Sequence, residues 1–244
     1  MASPVWADQG LTSITTAASP WTVNMPATVA AGDLLIFYSR AAGAQTIASV
    51  TGFTFLVDDD SSDASDDNTC IMYRWADGTE GATISVSLSA SAKGTVWVAR
   101  ITGAINPATQ PPEITAPTVT TAANVDPPAI TPTGGSKDYL FIVFGGMDGE
   151  GVTFTAGTPA GYSTVGGGNI NSGTGGAVAT NCVTSVARKA ATAASENPGV
   201  WTSSAPATGC SAWTMAVHPP AAATTYITRD PWPWLQAVNR ASVW

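Results

Sequence analysis

The chain contains one internal repeat, and that repeat limits its possible folds more than any other feature. Residues near 14–103 and near 119–217 carry the same landmarks in the same order. Ile14-Thr15-Thr16-Ala17-Ala18 returns as Val119-Thr120-Thr121-Ala122-Ala123, 105 residues later. Gly32-Asp33-Leu34-Leu35-Ile36-Phe37 returns as Lys137-Asp138-Tyr139-Leu140-Phe141-Ile142, again 105 later. Thr51-Gly52-Phe53-Thr54 matches Ala160-Gly161-Tyr162-Ser163 at 109, Cys70 matches Cys182 at 112, and Trp97 matches Trp213 at 116. The offset never falls, as expected if the second copy gained small loop insertions. A unit of about 100 residues is too long for a solenoid repeat, so it is a doubled half-fold or small domain.

Helical periodicity is almost absent. Short runs of Val, Ile, Phe, Tyr, Trp and Thr alternate with Gly, Pro, Asp and Asn, the pattern of strands and turns. Strands are expected near 12–16, 33–39, 53–57, 69–75, 83–88 and 94–102 in the first copy. In the second they are expected near 117–121, 139–145, 151–155, 162–165, 177–188, 199–203 and 210–217. Thr83-Ile84-Ser85-Val86-Ser87-Leu88 alternates polar and apolar, which fits a strand with one wet face. Leu34-Leu35-Ile36-Phe37-Tyr38 is apolar throughout and should be covered on both faces. The expectation is an all-β, jelly-roll-like β-sandwich. It would be one domain over 1–220, its halves (about 12–105 and 117–218) paired to close a sheet edge that either would leave open. Asn106-Pro107-Ala108-Thr109-Gln110-Pro111-Pro112 joins the halves as a flexible junction or a stiff crossover.

Charged residues make up only 11% of the chain, against about 25% in ordinary soluble domains. Such a surface suits life packed against other proteins, or work outside the cell. The net charge of −8, without any basic run, argues against a nucleic-acid partner. No apolar stretch approaches the ~20 residues of a membrane span, and no signal-peptide pattern opens the chain.

Catalytic constellations are missing from the sequence. The one histidine, His218, ends the last predicted strand, and no G-x-S-x-G elbow, P-loop or dinucleotide fingerprint occurs. No cofactor is implied. The run Gly166–Gly176 lacks the helix and Lys of a phosphate cradle and is expected to be a mobile surface loop. The acidic stretch from Asp58 to Asp67 is a solvated turn or, through Asp58, Asp60, Asp63 and Asp66, a Ca²⁺ candidate, although it lacks the EF-hand order. Cys70, Cys182 and Cys210 have no zinc spacing. They are expected as buried small hydrophobes, with a Cys182–Cys210 bridge as the alternative. Trp6, Trp21, Trp75 and Trp201 are candidates for a sugar-stacking platform, whereas the repeat-equivalent Trp97 and Trp213 belong in the core.

Residues 221–244 have no counterpart in the repeat. After the spacer Ala221-Ala222-Ala223-Thr224-Thr225 come Arg229-Asp230-Pro231-Trp232-Pro233-Trp234-Leu235 and a short stretch to Trp244. Asp230 can cap a short helix with Pro231 at its first position, setting Leu235 and Val238 on one face. Tryptophan is a favoured interface anchor. Trp232, Trp234, Leu235, Val238 and Trp244 are therefore candidate contacts of an extended tail, which either grips a neighbour or folds back on its own sandwich.

Several stretches resemble a diffuse group of tailed-bacteriophage virion proteins. They are Ala30-Ala31-Gly32-Asp33-Leu34-Leu35, Thr51-Gly52-Phe53-Thr54-Phe55-Leu56, Tyr73-Arg74-Trp75-Ala76-Asp77-Gly78, Ala99-Arg100-Ile101-Thr102-Gly103-Ala104 and Trp213-Thr214-Met215-Ala216-Val217-His218-Pro219. The resemblance covers about residues 14–220 and rests on turns and core strands. It implies a non-enzymatic jelly-roll virion component made in the host cytoplasm. The expected role is a capsid decoration or cement protein, oligomeric on the particle, that contacts the major capsid protein or neighbouring copies. The alternative is a receptor- or carbohydrate-binding module of a tail or fibre. No catalytic residue comes with the resemblance.

Overall fold

The computed structural model describes residues 2–43, 45–48, 50–59, 67–122, 124–149, 152–155, 159–173, 181–204 and 209–221. The tail candidates Trp232, Trp234, Leu235, Val238 and Trp244, with the capping pair Asp230 and Pro231, lie outside them. So do Asp60, Asp63 and Asp66. Every regular element among the described residues is a β-strand.

Seven strands come from the first copy: β1 (Val5–Ala18), β2 (Trp21–Asn24), β3 (Leu34–Ala41), β4 (Thr54–Asp59), β5 (Asn68–Trp75), β6 (Thr83–Val86) and β7 (Ala92–Thr102). A short β8 (Glu113–Ile114) follows the junction. The second copy supplies β9 (Thr118–Thr120), β10 (Asn124–Val125), β11 (Lys137–Asp148), β12 (Ser163–Asn171), β13 (Cys182–Ala193), β14 (Trp201–Thr202) and β15 (Cys210–Val217). The first sheet runs β1-β7-β3-β5-β4 and the second β12-β13-β11-β15, with β8 and β9 both pairing β15. Read in the same sense, the second order is β9-β15-β11-β13-β12, so each copy builds the same sheet. Each also builds a two-stranded flap, β2-β6 in one and β10-β14 in the other. The duplication is therefore a duplication of topology.

The layers follow from the two-residue period of a strand. Leu34, Ile36 and Tyr38 point between the sheets, where they meet Leu140, Ile142, Phe144, Trp97 and Trp213 in a core shared by both copies. Leu35 and Phe37 point outward and are covered by Trp21, Val23 and Val86 of the first flap. Tyr139, Phe141 and Val143 play that part in the second copy, beneath Val125 and Trp201. The result is a central sandwich with a flap on each outer face. β3 is buried over its full length, as its unbroken apolar run requires, and Thr83 to Leu88 alternates in burial as its pattern predicts.

The pairing corrects the sequence alignment of the copies. Tyr38 pairs with Trp97 and Phe144 with Trp213, so Tyr38 corresponds to Phe144 and Leu34 to Leu140. The sequence match set Leu34 against Tyr139, one residue short. A one-residue slip exchanges the faces of a strand, and Tyr139 indeed faces the flap. In the same frame Ile71 corresponds to Val186, because they pair with Tyr38 and Phe144. Cys70 then corresponds to Ser185, not Cys182.

The glycine-rich run is also corrected. Gly166, Gly167 and Gly168 lie inside β12, in the irregular register between Thr164 and Asn169. Gly166 adopts φ +57°, and a Cβ there would stand 2.8 Å from the Trp97 ring. Glycine lets the bulged edge strand lie against that indole.

Candidate functional site

Both sheets present their strands the same way round, so each end of the sandwich is built by both copies. At one end β4 and β12 finish and β5 and β13 begin. At the other, β1 begins and β15 ends, with Ile105 N–H donating to His218 O at 3.0 Å.

A buried polar network sits at the loop end, between the copies. Arg40 is fully buried; its Nε donates to Asp67 Oδ2 at 2.9 Å and its Nη1 to Ser211 Oγ at 2.7 Å. Thr69 Oγ1 lies 3.3 Å from the same Nη1. Asp67 Oδ1 accepts from Gly43 N at 2.9 Å, and Asp148 bonds the Asp67 carboxyl as well. Burial raises the Asp67 carboxyl above the usual carboxylate range, with the Arg40 charge pulling the other way. In the repeat frame Arg40 corresponds to Gly146, since Thr95 and Ser211 are their equivalent partners. A Cβ on Gly146 would stand 2.9 Å from Arg40 Cδ, and the rings of the equivalent Tyr38 and Phe144 lie 5.0 Å apart. Contacts between equivalent residues mark a pseudo-twofold axis running between β3 and β11. Along that axis one copy contributes an arginine and the other the space for it.

This network also takes in Asp67, the last acid of the acidic run. Asp67 turns inward to Arg40, while Asp58 is exposed on β4. Among the described residues no group of three or more His, Cys, Asp or Glu side chains could hold a metal ion.

The cysteines are three free buried thiols, which rules out the Cys182–Cys210 bridge. Cys182 on β13 pairs with Asp148, whereas Cys210 on β15 pairs with Met147. Their strands flank β11, about two strand spacings of 4.8 Å apart, beyond disulfide reach. Burial pushes the Cys182 thiol up to about 12.

The expected sugar platform is overturned. Trp6, Trp21 and Trp201 are all at least 95% buried, and Trp75 packs against the shared core. Trp97 and Trp213 are buried as expected. The Trp97 indole N–H crosses to Thr184 Oγ1 at 2.9 Å. Big aromatic faces contribute most when wholly desolvated, and here packing buries five of the six and half-buries Trp75.

At the other end, His218 is more than a strand terminus. Its Nε2–H donates to Glu113 Oε1 at 2.6 Å, and Glu113 also accepts from Thr133 N and Oγ1. The imidazole stands edge-on to Tyr139. Burial lowers the His218 pKa although Glu113 opposes that shift. No hydroxyl or thiol of the described residues bonds its Nδ1, so the dyad fastens β8 to β15 without engaging a nucleophile. Beside it, Lys137, Gln110, Pro219 and Pro220 line a cleft of about 390 Å³.

No family model, curated protein or solved structure matches this chain.

Proposed function

We propose that the chain is a non-enzymatic structural protein of a tailed-phage particle, a decoration or cement protein whose sandwich stands on the capsid and whose segment 221–244 grips the major capsid protein or neighbouring copies. One observation carries this reading. Among the described residues the only exposed large hydrophobics are Val5, Val119 and Val200, which are scattered. Stable interfaces bury an apolar core rich in aromatic residues, and the described residues offer no contiguous patch of that kind. The tryptophans left over are Trp232, Trp234 and Trp244. The low charge and the phage-like turns of the sequence support the same reading. So does the hydrophobic core to which both copies contribute.

The test is a chain ending at residue 220. It is expected to unfold at the temperature of the full chain yet fail to sediment with phage particles. A truncated chain that still decorates particles refutes the anchoring role.

A second reading, a receptor- or glycan-binding module, draws on the loop end. A sandwich held by the segment after β15 would turn outward the end where β4 and β12 finish and β5 and β13 begin. Glycan-array and cell-adsorption measurements on the isolated protein discriminate; silence in both removes this reading.

A further inference from the structure

Four arginines belong to the described residues, and three are ion-paired. Arg40 meets Asp67 at 2.9 Å, Arg74 meets Glu80 at 3.0 Å, and Arg100 meets Asp33 at 2.6 Å. Arg188 is the exception: no carboxylate of the described residues pairs with it, in a chain with nearly twice as many acids as bases. Its one hydrogen bond runs from Nη1 to the carbonyl oxygen of Trp6 at 2.8 Å. That bond holds the guanidinium across the sandwich, from β13 to the start of β1, beside the register irregularity between Trp6 and Asp8.

The surroundings form a receptor. Arg188 lines a cleft of about 320 Å³ whose walls include Ser3, Trp6, Leu140, Gly161 and Ser163. Ser163 lies directly opposite Arg188 in the β12–β13 ladder. Directly opposed residues share a face, with Cβ atoms about 4.5–5.5 Å apart, so Ser163 and Arg188 stand side by side on the cleft wall. Nε and Nη2, the edge of the fork not used on Trp6, make no hydrogen bond. Lys189 is turned the other way, paired with Glu196 at 2.8 Å. Half-burial strips water from the Arg188 cation, and a partly desolvated charge is stabilised by a counter-ion.

We propose that this cleft binds the carboxylate group of a small organic acid. The Nε–Nη2 edge of Arg188 grips the planar group in two parallel hydrogen bonds, and Ser163 donates a third. The proposal stands on the sandwich alone and is independent of the tail reading.

The test is a ¹H–¹⁵N shift titration of the full chain with sodium acetate, sodium glucuronate and sodium phosphate, each matched in ionic strength with sodium chloride. Saturable shifts clustered at Gly161, Ser163 and Arg188 are expected with both carboxylates. Tighter binding of glucuronate shows that the cleft walls also hold a sugar ring; equal binding shows that the carboxylate alone is read. Arg188→Lys keeps the charge but loses the fork, and should weaken binding at least about tenfold. Ser163→Ala, on an exposed edge position, tests the hydroxyl without disturbing the Trp6 contact and should weaken it measurably. A merely structural Arg188 predicts lower stability in Arg188→Lys with no carboxylate response in the parent. That result, or identical responses to carboxylates, phosphate and chloride, overturns the proposal.

Discussion

Gly146→Ala tests the packing of the two copies at its tightest point. The added methyl would stand 2.9 Å from both Cδ and Nη1 of Arg40 and 3.0 Å from Tyr38 Oη. Arg40 cannot swing away, because Asp67 and Ser211 hold its guanidinium and no part of it reaches solvent. Gly146 lies in a strand without positive φ, so the cost is overpacking alone, about 1–3 kcal/mol. For a domain of this size each kcal/mol lowers Tm by about 2–4 °C, giving a fall of about 2–12 °C. Urea and thermal unfolding followed by tryptophan fluorescence measure it. Arg40→Ala alone leaves Asp67 buried without its cation and should cost about 3–5 kcal/mol. In that background the second substitution finds room and should cost almost nothing, a coupling of about 1–3 kcal/mol. A Gly146→Ala protein within about 0.5 kcal/mol of the parent, or an equal penalty in both backgrounds, would refute the account.

Two further predictions concern titration and reactivity. Because burial holds the folded His218 pKa below 6.5, the unfolded chain takes up that proton first. The stability it confers is complete above pH 6.5 and is lost as the pH falls below it. Glu113 acts lower: burial would raise its pKa, but the bonds from Thr133 and His218 outweigh that and hold it below 4.5. Its contribution is lost as the pH drops below 4.5. His218→Gln should flatten the first step in urea midpoints against pH and leave a step near Glu113; an unchanged first step contradicts the assignment. The thiols should be inert in the folded protein, since all three are buried and burial raises the Cys70 and Cys182 pKa values. A disulfide-exchange reagent is expected to label none natively and three after unfolding; rapid native labelling would show that the sandwich opens readily.

Little of the candidate site could be read from the sequence. His218 stood out as the sole histidine, but its partner Glu113 lies in a two-residue strand after the junction, too short to carry a pattern. Arg188 looks like any charged residue in a strand. Its distinction is the missing counter-ion, and the carboxylates around a side chain are set by residues far away in the chain. Trp6, Trp21 and Trp201 were equally ambiguous, because an aromatic on a strand suits a core and an exposed platform alike until the flaps are placed.

The sequence by itself determined what local periodicity can carry. It set the all-β class, the alternation of Thr83 to Leu88, the double burial of Leu34 to Tyr38, and the existence of two copies. Tertiary structure decided everything that depends on which strand lies beside which. It set Leu34 against Leu140 rather than Tyr139, drew the glycines of 166–168 into a strand, placed Cys182 and Cys210 on either side of β11, and turned Asp67 inward to Arg40. The reason is physical. A period of two tells which residues share a face, but not whether that face meets water, a flap or the other copy, and only long-range pairing and packing settle that choice.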